Sequence, residues 1–71
     1  MPYRSLKEMI KDAFNNEKLS RVIGKTRYYH LTSTGSITNA RKYGKELHEL
    51  GYYYAIFEKP KTKLYVVYVA R

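Results

Sequence analysis

Residues 37–70 read ITNARKYGKELHELGYYYAIFEKPKTKLYVVYVA, and this stretch carries the clearest structural signals of the 71-residue chain. Its first part predicts a helix from about 37 to 50. The apolar face recurs at helical spacing and consists of Ile37, Ala40, Tyr43, Gly44, Leu47 and Leu50. Gly51 follows at the position of a glycine C-cap. Because a mid-helix glycine costs up to about 1 kcal/mol against alanine, Gly44 predicts close packing against a sheet.

Two β-strands are predicted after this helix, at about 52–58 and 63–70, because both segments are rich in aromatic and β-branched residues. The turn between them is Lys59-Pro60-Lys61-Thr62, in which proline fixes φ. Residues 64–70 contain no charged side chain. An uncharged strand left at a sheet edge invites aggregation. The segment is therefore expected to be a central strand, or an edge strand that pairs in a dimer.

The first half of the chain repeats this order of elements. A helix is predicted over 5–15, because Ser5 and Glu8 fit a capping box and the apolar residues that follow share one helical face. A short hairpin is expected at about 19–23 and 26–32. Gly24-Lys25 supplies its two-residue turn, with glycine at positive φ. One longer bent strand is the competing interpretation.

The element order αββαββ predicts a single domain, residues 1–71, with a two-layer α+β fold. Three to four antiparallel strands would form the sheet, with both helices on one face. Residues 33–71, a turn, a helix ending in Leu-Gly-Tyr and a hairpin with a basic tip, resemble the second half of a winged-helix domain. That resemblance implies a winged-helix-like alternative. A winged helix also needs a helix just before the turn, where residues 27–32 favour a strand.

Composition limits the classes of protein. The chain has 14 Lys and Arg against six Asp and Glu, a formal net charge of +8, and no cysteine, so no disulfide is available. The 44% hydrophobic content is ample for a core. No apolar run reaches the roughly 18 residues of a membrane span. The N-terminus, MPYRS, lacks the apolar segment of a signal peptide. A cytoplasmic protein is expected.

Catalytic and cofactor motifs are incomplete. The segment GKT at 24–26 resembles the end of a phosphate-binding loop, but Leu19 stands where the motif needs its first glycine. The pair HE at 48–49 begins like a zinc-protease motif, but Tyr52 occupies the position of the second histidine. We therefore expect no enzyme, no metal and no cofactor.

Positive charge favours nucleic acid as the partner, because each neutralised phosphate releases counterions. The segment 18–45 contains seven basic residues and no acidic one. Three of these basic residues lie on the polar side of the first half of the second helix, where the helix dipole also favours phosphate. The turn at 59–63 adds three lysines. The predicted nucleic-acid-binding residues are Arg27, Thr38, Asn39, Arg41, Lys42, Lys45, Lys59, Lys61 and Lys63.

Within this set, Asn39 and Arg41 are the candidates for base contacts, since these side chain types read adenine and guanine in the major groove. Duplex DNA is expected ahead of RNA, with a regulatory or accessory role. Tyr28 and Tyr29 are candidates for stacking on unpaired bases. The competing interpretation is structural. In that interpretation the polar side of the helix is simply solvated, and the lysine turn protects a strand edge. Most tyrosines then lie in the core.

A second functional hypothesis is a protein–protein interaction module or small inhibitor, of the kind that phages and mobile elements encode. Its basic, Tyr-rich face would bind an acidic protein surface, because Tyr and Arg are preferred hot-spot residues. A homodimer formed through the sheet edge is a further candidate partnership.

Overall fold

A computed structural model of the chain describes residues 5–71. The elements are α1 (Leu6–Asn15), a 3-10 turn (Glu17–Leu19), β1 (Arg21–Ile23), β2 (Thr26–Thr34), α2 (Ile37–Glu49), β3 (Tyr53–Lys59) and β4 (Leu64–Ala70). Their order confirms the predicted αββαββ arrangement of two helices and four strands. No helix in residues 5–71 has the length and apolar character needed to cross a membrane.

Helix α1 begins where its capping sequence predicts. The Ser5 hydroxyl accepts a hydrogen bond from the backbone N–H of Glu8 at 3.2 Å, which satisfies one of the free N–H groups of the first turn. Ile10 and Ala13 are buried on the inner face of the helix. The predicted and observed helices therefore agree along their whole length.

The first hairpin differs from its predicted bounds at both ends. Residues Glu17–Leu19 form a 3-10 turn, closed by the Ser20 N–H donating to the Glu17 carbonyl at 3.1 Å, so β1 begins only at Arg21. Gly24 has the predicted positive φ, at 65°. Strand β2 continues to Thr34 because β4 pairs with it there. Local sequence does not reveal such a partner.

Helix α2 has a defined cap at each end. The Ser36 hydroxyl accepts a hydrogen bond from the N–H of Asn39 at 3.4 Å. At the C-terminus Gly51 has φ 88°, its N–H donates to the His48 carbonyl at 3.0 Å, and the Tyr52 N–H donates to the Leu47 carbonyl at 2.9 Å. This pair of hydrogen bonds is the Schellman motif, which confirms the predicted glycine cap.

The strands form one antiparallel sheet in the order β1-β2-β4-β3. The uncharged strand β4 is central, which confirms the first of its two predicted roles. A homodimer through a sheet edge would therefore have to pair β1 or β3. The winged-helix alternative does not fit, because β2 occupies the segment that would need to be a helix.

Both helices pack on one face of this sheet. Their inner side chains meet Val67 and Val69 of β4. Tyr29 and Leu31 of β2 also pack against this core from the sheet. Gly44 of α2 is buried, and a Cβ there would lie 2.5 Å from the nearest ring atom of Tyr54. The predicted close packing of Gly44 against the sheet is confirmed.

Candidate nucleic-acid interface

The first half of α2 presents polar side chains outward. Ala40, Gly44 and Leu47 mark its buried side. Since consecutive residues of an α-helix are about 100° apart, Thr38 and Lys42 lie nearly opposite that side, and Lys45 falls beside them. The positive end of the helix dipole lies in this half. No acidic residue occurs in α2 before position 46.

Asn39 and Arg41, the two candidates for base contacts, leave α2 on opposite flanks. Two residues of helix correspond to about 200° of rotation. Asn39 lines a shallow cavity of about 290 Å³ together with Lys42, Tyr43 and Glu46. Tyr43 also lines a cavity next to α1, so Asn39 lies on the flank towards α1 and Arg41 on the flank away from it. The two side chains therefore do not face one common surface.

The lysine turn lies at the same end of the molecule as the start of α2. Lys59 pairs with Leu64 in the β3–β4 ladder, so the turn begins directly beyond that pair. Thr34, the last residue of β2, pairs with Tyr65, and only two residues separate it from α2. The two basic segments thus lie at the same end of the molecule although they are distant in the chain.

We call this combined region the helix–tip surface. All its basic side chains are exposed. It consists of Thr38, Asn39, Arg41, Lys42 and Lys45 from α2 and Lys59, Lys61 and Lys63 from the turn. Lys63 has the left-handed φ of 54°, and its N–H donates to the Lys59 carbonyl at 2.9 Å. The start of α2 and the lysine turn therefore lie at one end of the molecule, although Asn39 and Arg41 leave α2 on opposite flanks and Lys59 points to the other face of the sheet.

Arg27, the ninth predicted nucleic-acid-binding residue, lies elsewhere. It is the second residue of β2, whereas the helix–tip surface adjoins the last, and seven residues of strand separate these points by about 23 Å. The Arg27 guanidinium donates to the Ser20 hydroxyl at 2.8 Å. It lines a surface cavity with Glu17 and Arg71. Arg27 therefore lies at the opposite end of β2 from the lysine turn and the start of α2.

The two candidate stacking residues face opposite sides of the sheet. Tyr29 packs in the core, where its ring meets that of Phe14 edge-to-face with centroids 5.0 Å apart. Tyr28 alternates with it and points to the side without helices. Tyr28 is therefore the one of the pair available for stacking.

That side, which we call the open face, carries Tyr28 and further residues that sequence reasoning did not single out as a site. Its large side chains include Arg21, Tyr28, His30, Tyr53, Phe57 and Tyr68, placed by the pairing register and by their ring contacts. Val66 and Ala70 are buried but do not belong to the core cluster between helices and sheet, so neighbouring side chains of the open face cover them. Alternation along each strand indicates which of its side chains share a face. Which side chains of different strands lie together depends on the pairing register, which the sequence does not show.

Comparison with known proteins identifies no relative, since no protein family, no curated protein and no solved structure matches this chain. Within residues 5–71 no group of three or more His, Cys, Asp or Glu side chains is arranged to hold a metal ion. The chemistry of the two surfaces is therefore the basis for assigning a function.

Proposed function

We propose that the protein binds nucleic acid, with duplex DNA contacting the helix–tip surface, and that it has a regulatory or accessory role. The observation that supports this is the presence of two exposed basic segments, the start of α2 and the lysine turn, at the same end of the molecule. Affinity would come from Lys and Arg on phosphates. A cytoplasmic location stays a prediction.

Helical spacing refines which side chains would face the bases. With α2 in the major groove, the outward residues Thr38 and Lys42 point to the base edges, and lysine can contact guanine there. Asn39 and Arg41, on the two flanks, point to the two walls of the groove. We therefore assign them contacts to the backbones or to outer base pairs, and not to one shared base pair.

The exposure of its cations favours phosphate at this surface. Its six cations, Arg41, Lys42, Lys45, Lys59, Lys61 and Lys63, are exposed and so lose little hydration free energy before they meet an anion. Of the acidic residues of α2, Glu49 lies at the C-terminal end, away from the lysine turn, whereas Glu46 lines a cavity with Lys42. Glu58 of β3 pairs with Tyr65 near the turn. A bound backbone would have to avoid Glu46 and Glu58.

A binding titration tests this proposal. A labelled duplex of about 20 base pairs, at 3.4 Å per pair, exceeds the protein's longest dimension of 32 Å. If all six cations contact phosphate, log K falls with log salt with a slope of about −5, and affinity drops about 1,000-fold between about 50 and 200 mM salt. Fluorescence anisotropy at both concentrations measures this.

A matched pair of double variants locates the surface. Arg41→Ala with Lys42→Ala should reduce the slope by about 2, because two phosphate contacts are lost. Lys7→Ala with Lys11→Ala, on the exposed side of α1, removes the same charge and should leave the slope nearly unchanged. Equal losses in both variants would show that only net charge matters. An absence of duplex binding at about 50 mM salt would favour the acidic protein partner instead.

A further inference from the structure

We propose that the open face is a second binding site, which holds unpaired bases of single-stranded nucleic acid by stacking. It lies on the side of the sheet away from α2, shares only Lys59 with the helix–tip surface, and takes a different form of the ligand. Four aromatic rings, one imidazole and one guanidinium occupy it, and neither helix packs on it. Stacking of bases on such side chains is the usual way in which proteins hold unpaired nucleotides.

Charge on the open face fits a polyanion. The only acidic residue in any of the four strands is Glu58. It alternates with Phe57 and so points to the helix side of the sheet. The remaining acidic residues belong to α1, the 3-10 turn and α2. Arg21 and Lys59 lie on the open face with no strand carboxylate beside them, so a phosphate backbone meets positive charge there.

Arg21 is held in a geometry that offers a stacking surface. It lies on the edge strand β1, yet its guanidinium sits 4.7 Å from the ring centroid of Phe57 on the opposite edge strand and 5.9 Å from that of Tyr68. The guanidinium therefore lies over rings of both β3 and β4. Arg21 is exposed, and a base can stack on the outer side of a guanidinium plane while the aromatic ring supports the inner side.

The rings beside Arg21 hold one another in place. Tyr68 meets Phe57 at 77° and His30 at 88°, with centroids 5.6 and 6.0 Å apart. These edge-to-face contacts are the preferred geometry of aromatic pairs. A surface ordered in advance loses less entropy when a flexible strand binds to it.

Two tyrosines at the end of the sheet add further rings to the open face. Tyr53 pairs with Ala70, and Tyr28 lies one residue before Tyr29, which pairs with Val69. Tyr28 and Tyr53 therefore flank the small Ala70 at about 10 Å, two strand spacings. Tyr53 is 67% exposed. At this separation the two rings would stack on two different bases of one nucleic-acid strand, and not on the same base.

A second copy of the chain fits the open face less well. In a two-fold interface the same patch meets itself, so Arg21 and Lys59 would face like charges with no carboxylate to separate them. Like-charge juxtaposition at an interface is costly. A single-stranded polyanion carries the complementary charge and supplies the aromatic bases as well.

The test uses the full chain and a labelled oligothymidylate of about 15 nucleotides, a length within the range of known single-strand sites. Anisotropy at about 50 mM salt measures affinity. Tyr53→Leu should weaken binding roughly 5- to 100-fold, the usual effect of losing one base stack. Its control is Tyr54→Leu, on the same strand but on the helix side, which should change affinity less than about twofold. Circular dichroism verifies that each variant is folded.

A second matched pair separates stacking from net charge. Arg21→Gln and Arg27→Gln each remove one cation from the same hairpin, but only Arg21 lies on the open face. Arg21→Gln should weaken oligothymidylate binding at least fivefold and Arg27→Gln less than twofold. Because nine tyrosines are the only strong fluorophores, quenching of their fluorescence on titration provides a label-free signal of stacking.

Three outcomes would overturn the proposal. One is no oligothymidylate binding at about 50 mM salt. Another is equal loss in the Tyr53 and Tyr54 variants, or in the Arg21 and Arg27 variants. The third is a dimer, detected by sedimentation, that Tyr53→Leu dissociates, which would assign the open face to a second copy. The helix–tip surface is judged separately, because its double variant is measured on duplex DNA.

Discussion

Replacing Gly44 by alanine should produce opposite effects depending on whether Tyr54 is present. A Cβ at Gly44 would lie 2.5, 2.8 and 2.9 Å from three ring atoms of Tyr54. Carbon atoms in favourable contact are about 3.5–4.0 Å apart. The ring must therefore retreat by about 1 Å, or the helix must move away from the sheet.

Two terms decide the sign of the effect. Alanine in place of a mid-helix glycine contributes up to about 1 kcal/mol of helix propensity. Overpacking costs about 1–3 kcal/mol. Tyr54 is 42% exposed, so its ring can move outward at a mid-range cost. We expect Gly44→Ala to reduce the free energy of unfolding by about 1 kcal/mol, which lowers Tm by about 4–8 °C in a chain of this size.

In the Tyr54→Ala background the clash disappears and only helix propensity remains. There Gly44→Ala should raise the free energy of unfolding by about 1 kcal/mol. The assay is urea and thermal unfolding, followed by circular dichroism, of the original protein, the two single variants and the double variant. The cycle should return a coupling of about 2 kcal/mol between the two positions.

The same change in stability in both backgrounds, within about 0.5 kcal/mol, would refute this reasoning. Gly44 would then have no packing role towards Tyr54. Stabilisation in the original background would show that the ring moves without cost, and the estimate of the overpacking penalty would be wrong.

Two further predictions concern positive φ. Gly51→Ala should lower the free energy of unfolding by about 1–2 kcal/mol, because Gly51 has φ 88° and alanine is strained there. The control is Gly35→Ala, at a position without positive φ and with open space for a Cβ. In the same denaturation assay it should be neutral or stabilising. Lys63 has φ 54°, so Lys63→Gly should stabilise by up to about 1 kcal/mol, whereas Lys61→Gly should destabilise by about 0.5 kcal/mol. A greater loss at Lys63 than at Lys61 would contradict the strain assigned to the turn.

Part of the candidate site could be predicted from the sequence and part could not. Lys42 and Lys45 were identifiable because a helix and its buried stripe define an outward side locally. Arg21, Phe57 and Tyr68 were missed because they lie on three different strands. Their contact depends on which strands are neighbours and on the register between them, and neither is encoded in a short window of sequence.

Local chemistry specified the elements of this protein. Ser5, Ser36 and Gly51 cap helices through hydrogen bonds that span only a few residues, and apolar spacing distinguishes helix from strand within one or two turns. These signals predicted the order αββαββ, both helices and the C-terminal hairpin. Even the absence of charge in residues 64–70 indicated a central strand as one of two roles.

Only the tertiary structure decided the order β1-β2-β4-β3, the extension of β2 to Thr34 and the separation of Arg27 from the other predicted binding residues. Each depends on the pairing of β2 with β4, whose partners Thr34 and Tyr65 are far apart in the chain. The free energy of such a pairing comes from burying Val67 and Val69 under two helices, a cooperative gain that no single segment possesses.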